Sequence, residues 1–149
     1  MPVAFDPATD YPLGTRRPDL VETPSGRSLD ELTLDALRAG RLAAADMRAT
    51  TRTLGLQAQI AAAAGRAPLA ANLGRAAELA AIPDEVILEI YTALRPHRST
   101  ERELEGWAGR LEREFQAPLT AAFVREAKTV YAERGLLSTG RERADAPAV

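Results

Sequence analysis

Apolar residues recur at three- and four-residue spacing between residues 28 and 136. Prolines, glycines and hydroxyl residues cut that pattern into separate amphipathic helices. Ser28 and Glu31 have capping-box spacing and open a predicted helix over Leu29–Ala39, which Gly40 stops. A turn around Ala44–Met47 precedes a helix capped by Thr50 or Thr51 that runs to Ala64, with Gly65 just past its end. Pro68, tolerated in a first turn, starts a helix through Leu69, Leu73, Ala77 and Ala80. Pro83 and Asp84 open the next, with Val86, Ile87, Ile90, Tyr91 and Leu94 as its apolar stripe and Pro96 as its end. Thr100 and Glu103 form a second capping box before the stripe Leu104, Trp107, Ala108, Leu111 and Phe115. Pro118 begins the last helix, with Leu119, Phe123, Ala127, Val130 and Tyr131 as its stripe and Gly135 as its stop. Nowhere do four or more β-branched or aromatic positions alternate, so the expected class is all-α, a compact domain of about five to six helices.

Different chemistry governs the two ends. Residues 1–27 carry Pro2, Pro7, Pro12, Pro18 and Pro24 with Gly14 and Gly26, which predicts an extended arm rather than an element. Tyr11, Leu13, Leu20 and Val21 punctuate that arm, as in a segment lying along a surface. Residues 137–149 are small and polar and are expected to form a frayed, disordered tail after the helical domain at 28–136.

Composition narrows the function. Of 149 residues 46% are hydrophobic but only 5% aromatic, because alanine supplies much of the apolar fraction. Such a chain buries less apolar area per residue, and docking on a partner is one route to more burial. The net charge of −2 is spread along the helices with no basic stripe, which points away from nucleic acid. With no cysteine there is no thiolate metal site and no thiol catalysis, a usage that fits the cytoplasm. No stretch approaches the roughly 20 apolar residues that span a bilayer, and Met1–Asp6 lacks the basic and apolar regions of a secretory signal.

The catalytic inventory is thin. His97, the single histidine, lies between Pro96 and Arg98 in a loop, with only arginines and hydroxyls nearby, and reads as a surface or interface residue rather than a general base. Ser99 and Thr100 are accounted for by capping. The acids from Glu101 to Glu114 alternate with arginines, the pattern of a solvated face with i,i+4 pairs. No glycine-rich turn precedes a Lys-Ser or Lys-Thr pair. No catalytic, cofactor-binding or metal-binding residue is therefore assigned. Polar residues inside apolar stretches remain: Asn72, Arg75 and Glu78, then Arg125 and Glu126, either a solvated back face or a contact surface.

Several fragments, in order, resemble one family: Asp10-Tyr11-Pro12-Leu13, Asp46-Met47-Arg48, Leu56-Gln57-Ala58-Gln59-Ile60-Ala61, Arg75-Ala76-Ala77-Glu78-Leu79, the run from Ile82 to Thr100, and Ala121-Ala122-Phe123-Val124-Arg125-Glu126-Ala127. Over about Asp10–Arg134 the chain resembles the small (gamma) subunit of coenzyme B12-dependent diol and glycerol dehydratases. The resemblance implies a complex with large (alpha) and medium (beta) subunits, paired into a dimer of heterotrimers. It implies adenosylcobalamin held by those other chains, with radical chemistry converting a 1,2-diol to an aldehyde. This chain's part would be assembly and stabilisation of the large subunit, with no catalytic residue of its own. The sequence departs from the family at His97, where an aromatic is common, and at Thr92, where Asn is common. Only nine residues precede Asp10, and Thr23-Pro24-Ser25-Gly26 is similar to the glycerol type; both point away from packaging in a microcompartment.

The expected interface residues are Tyr11 and Leu13 in the arm, Arg95 and His97 in the turn Arg95–Thr100, and Arg125 with Glu126. The other readings are a repurposed helical interaction subunit, a stand-alone enzyme using His97 or a carboxylate pair, and an arginine-rich nucleic-acid binder.

Overall fold

The computed structural model describes residues 4–140, and the all-α expectation holds across them. The only β pairing among these residues is an isolated bridge between Glu22 and Ser28. The chain divides into two compact units, Met1–Ala80 and Ala81–Val149.

In the first unit the arm is less extended than its prolines suggest. Pro12 precedes a single turn, α1 (Leu13–Arg16), and Pro18 starts a 3-10 turn over Pro18–Leu20. Proline's fixed φ suits the first position of a turn, as at Pro18, while Pro12 is the extended N-cap of α1, so turns form where an extended segment was expected. The Tyr11–Pro12 bond is cis. The expected helix over Leu29–Ala39 is also divided. Ser28 and Glu31 cap only a 3-10 turn, Leu29–Glu31. The Thr33 hydroxyl then accepts the Ala36 N–H at 3.1 Å and starts α2 (Leu34–Arg38). Two N-terminal signals five residues apart leave no room for one continuous helix.

A 3-10 turn follows at Ala44–Met47. The Thr50 hydroxyl accepts the Thr53 N–H at 3.1 Å and caps α3 (Thr51–Ala63). Gly65, at φ 71°, reverses the chain into α4 (Ala67–Leu79), which has Pro68 in its first turn. These two helices pack as a hairpin whose fully buried positions are Ala61 and Ala77, with larger residues such as Leu73 only half-buried.

The second unit holds the larger buried side chains. It consists of α5 (Asp84–Ala93), α6 (Glu101–Phe115) and α7 (Pro118–Glu133). The Thr100–Glu103 box forms as expected: the Glu103 carboxylate accepts the Thr100 N–H at 2.8 Å, and the Thr100 hydroxyl accepts the Glu103 N–H at 3.3 Å. Leu104, Ala108 and Leu111 of α6 are buried against α7. The α7 face, however, is Thr120, Ala121 and Val124, while Leu119 and Phe123 are about half exposed. Small residues let the two helices approach closely, and that turns α7 away from the expected stripe. Ile90 is the buried residue of α5, and Tyr91 lies outside. The Tyr131 hydroxyl donates to the Leu94 carbonyl at 2.5 Å, tying α7 to the end of α5.

α6 ends on Gln116, whose φ of 52° lies in the left-handed region with no glycine to occupy it. A non-glycine residue there brings its Cβ too close to the following carbonyl oxygen, at a cost of about 1–2 kcal/mol. Gln116→Gly is expected to raise the stability of this unit by about 0.5–1 kcal/mol, since glycine's larger unfolded-state entropy offsets part of the relief. Chemical denaturation followed by circular dichroism measures it.

No helix among the described residues is long and apolar enough to cross a membrane.

Candidate subunit interface

Among the described residues no group of three or more His, Asp or Glu side chains is arranged to hold a metal ion. The expected contact residues fall in three separate places, two of them in the second unit.

The arm is anchored at one residue and open at the next. Leu13 is buried, whereas Tyr11 is 66% exposed. Around them Arg17 bridges Asp10 at 3.1 Å and Asp19 at 2.9 Å, and its guanidinium is held further into the protonated range, mainly by the Asp19 carboxylate. The Asp6 N–H donates to Asp10 at 2.9 Å. A cleft of about 680 Å³ opens between the arm and the α3–α4 hairpin, lined by Tyr11, Leu13, Gln57, Ile60, Arg66 and Leu69. Arm and hairpin thus present one continuous, largely apolar surface with two polar groups at its edge.

The turn Arg95–Thr100 is fixed by backbone bonds to the end of the last helix. His97 sits at φ 61°, exposed, and its N–H donates to the Leu136 carbonyl at 2.7 Å. The Ser138 N–H donates to the Ser99 carbonyl at 2.9 Å, and both serines are buried. Of the segment expected to form a tail, residues 137–140 are therefore described and joined to this turn, while 141–149 lie outside the described residues. Among the described residues no side chain hydrogen-bonds or pairs with the His97 ring. A second, shallower groove of about 500 Å³ adjoins the turn, with Leu88, Arg98, Glu103 and Trp107 among its lining.

Arg125 is engaged within the chain. Its Nε donates to Glu105 at 2.9 Å, and its two terminal nitrogens donate to both oxygens of Glu112, at 2.6 and 2.9 Å. Glu105 and Glu112 are seven residues apart, two turns of one α6 face, so a single forked cation on α7 reaches both. Lys128 completes the cluster at 2.8 Å from Glu105. Lys128 and then Arg125 hold the Glu105 carboxyl below its ordinary range, and Arg125 does the same for Glu112. Glu112 and then Glu105 push the guanidinium strongly upward. Arg125, Glu105 and Glu112 are about a third to a half exposed, so solvent screens them, and the cluster fixes the angle of α7 on α6 more than it stabilises either helix. Glu126, beside it, is exposed. Among the other polar residues singled out, the Arg75 guanidinium donates to the Asn72 side-chain oxygen within α4.

One residue that joins distant segments lay outside the expected set. Asp46 is 5% exposed and accepts from the Ser25 hydroxyl and, at 2.8 Å, from the Ala43 N–H, with Arg27 Nε at 3.9 Å. Thr23, also buried, hydrogen-bonds Ser25 at 3.0 Å. These contacts, the Ser25 bond first, hold the Asp46 carboxyl below the usual carboxylate range. The arm is thus latched onto the turn that leads into α3. The two fragments involved, Thr23–Gly26 and Asp46–Arg48, are visible in the sequence, but only the fold brings them together.

Large apolar side chains stand exposed in both units: Leu34, Met47 and Tyr11 in the first, Leu88, Tyr91 and Leu119 in the second. Exposed apolar side chains of this kind are suited to protein contact. Comparison with known proteins agrees. The family model described as dehydratase small subunit matches residues 7–138. A propanediol dehydratase small subunit of Citrobacter freundii is 53% identical over 126 residues, which cover 85% of this chain and 73% of that protein. One from Salmonella typhimurium is 52% identical over the same shares. The matched region takes in the latch at Asp46, the turn at His97 and the Arg125 cluster, and on that extent of likeness the chain belongs to the dehydratase small-subunit family.

Proposed function

We propose that this chain is the small subunit of a propanediol dehydratase, and that it assembles with and stabilises larger subunits that carry the reaction. The observation that supports this most is its 53% identity, over 85% of its length, to a propanediol dehydratase small subunit. The thin burial of the first unit, where Leu13 with Ala36, Ala61 and Ala77 are the buried apolar residues, adds a physical reason for the chain to seek a partner. In this reading the chain works in the cytoplasm. The large and medium subunits hold adenosylcobalamin and the diol, and the assembly is a dimer of heterotrimers. A cofactor of that kind supplies the radical chemistry, and the chains around it supply binding and enclosure.

Toward the larger subunits the contacts are Tyr11 with the cleft behind it, Arg95 and His97 in their turn, and Glu126. Leu13 and Arg125 act from within, one anchoring the arm and the other setting the α6–α7 angle. Co-expression of this chain with the other two subunits should yield one complex with diol dehydratase activity. Omitting this chain should lower both the recovered large subunit and the activity at least about tenfold, about 1.4 kcal/mol in assembly terms. A fully active complex of the two larger chains alone would refute the stabilising role. Tyr11→Ala and Glu126→Ala should each weaken assembly on gel filtration, whereas His97→Ala should leave turnover per assembled complex unchanged.

A further inference from the structure

The cleft between the arm and the α3–α4 hairpin is apolar except at one point. Among the described residues that line it Arg66 is the only charged one, in the company of Tyr11, Leu13, Ile60, Leu69 and the Gln57 amide. Arg66 is exposed and is the N-cap residue of α4, directly after Gly65 reverses the chain. An arginine beside the end of a helix can serve to cap its last carbonyls. Here backbone donors already take those of α3. The Ala64 N–H donates to the Ile60 carbonyl and the Gly65 N–H to that of Ala62, both at 3.0 Å, and the N–H of Arg66 itself to that of Ala61 at 2.8 Å. The acids of the arm are engaged within the arm: Asp6 accepts from the Ala8 N–H at 3.0 Å and the Thr9 hydroxyl at 3.1 Å, and Asp10 from the Asp6 N–H and Arg17. Among the described residues no hydrogen bond or ion pair engages the Arg66 guanidinium.

We infer that this cleft receives an apolar segment of a larger dehydratase subunit carrying one carboxylate, and that Arg66 is the residue that recognises it. The inference rests on the proposed assembly and names what the cleft selects from the partner. A guanidinium presents a planar fork that meets a carboxylate through two parallel bonds, and apolar surroundings strengthen such a pair by excluding water. With one charge in the lining, a segment bearing a lysine or arginine there is disfavoured and one bearing an acid is favoured. The 680 Å³ cleft lies within the range of roughly 300–1,000 Å³ that encloses ligand-sized groups. Tyr11 on the arm, 66% exposed, and Leu69 on α4, 43% exposed, carry the apolar surface beyond it on either side. A length of chain covers both rims, whereas a small acid would leave them in water.

The test uses this chain co-expressed with the two larger subunits. Arg66→Glu should lower its recovery with them at least about tenfold, and Arg66→Ala should lower it less, because only the first adds repulsion. An acid at the N-terminal end of α4 suits the helix dipole, so Arg66→Glu keeps the fold. Leu69→Asp, on the rim, should act in the same direction. Arg66→Lys then identifies the partner group. Lys128 is the only lysine in the chain, so the variant adds one new side-chain amine, which a zero-length carbodiimide joins to a neighbouring carboxylate. Mass spectrometry of the assembled complex should show position 66 linked to an Asp or Glu of a larger subunit, with the Lys128–Glu105 link as internal control. Recovery indifferent to Arg66→Glu and Leu69→Asp overturns the inference and leaves the proposed function standing. So does a control link without one from position 66, or a link from there only to this chain's own acids or to a second copy. A wild-type chain that fails to assemble overturns the proposed function and this inference together.

Discussion

Replacing Leu111 with alanine is expected to destabilise the second unit by about 2–5 kcal/mol, the largest effect of any single substitution in this chain. Leu111 is 0% exposed and lies on the α6 face covered by α7, beside Ala108, also 0%, and Val124, at 1%. Ala108 and Ala121, both buried on that face, are too short to fill the space left behind. Domains of this size have about 5–15 kcal/mol in total, and the loss would leave residues 81–140 partly unfolded at physiological temperature. Leu111→Met, which keeps the volume, should cost less than about 1.5 kcal/mol. Urea denaturation of both variants gives the comparison, and equal midpoints for Ala and wild type would show that this face is not the core.

Removal of the Asp46 carboxylate should release the arm, and acid should do the same to the wild type. Ser25, Ala43 and Arg27 all favour the charged form, so the folded carboxyl titrates below its unfolded value near 3.9. The sign follows from that: the stabilisation is fully present above the unfolded value and is lost as pH falls through the folded one. Amide exchange at Thr23, Ser25 and Arg27 should therefore accelerate on acidification below about pH 4, while α6 and α7 remain protected. Asp46→Ala should raise exchange in the same segment roughly tenfold or more at neutral pH, because the Ala43 N–H and the Ser25 hydroxyl lose a buried acceptor. It should also abolish the acid dependence there. Exchange in Asp46→Ala that still accelerates with acid would assign the switch to another group.

What the sequence disclosed about this fold was its punctuation. The Thr100–Glu103 box, the Thr50 cap, the starts at Pro68 and Pro118 and the stops at Gly65 and Gly135 depend on local backbone needs, and each forms where its residue type asks for it. The left-handed residue Gln116 was not legible, because glutamine does not mark that conformation; His97, of a type enriched there, adopts it in the turn after α5. Which side of a helix faces inward was legible for α6 and, Tyr91 apart, for α5, but not for α7. The alanine-rich face of α7 is nearly as apolar as the face carrying Leu119 and Phe123, and close approach decided between them.

Arg125 shows the same limit at the candidate interface. Its position within an apolar stretch flagged it as unusual, but Glu105 and Glu112 become its partners only once α7 folds back across α6. Family membership, by contrast, was legible early, since fragments scattered over more than a hundred residues kept their order.

The alanine packing of the α3–α4 hairpin has a calorimetric consequence. Its two helices contribute 13 residues each to the helical signal. Unfolding them, however, hydrates little new hydrocarbon, and the heat-capacity increment is about 0.45 cal/K/mol per Å² of apolar surface exposed. Melting of the hairpin should thus appear in far-ultraviolet dichroism while adding little to the heat-capacity step of the thermogram.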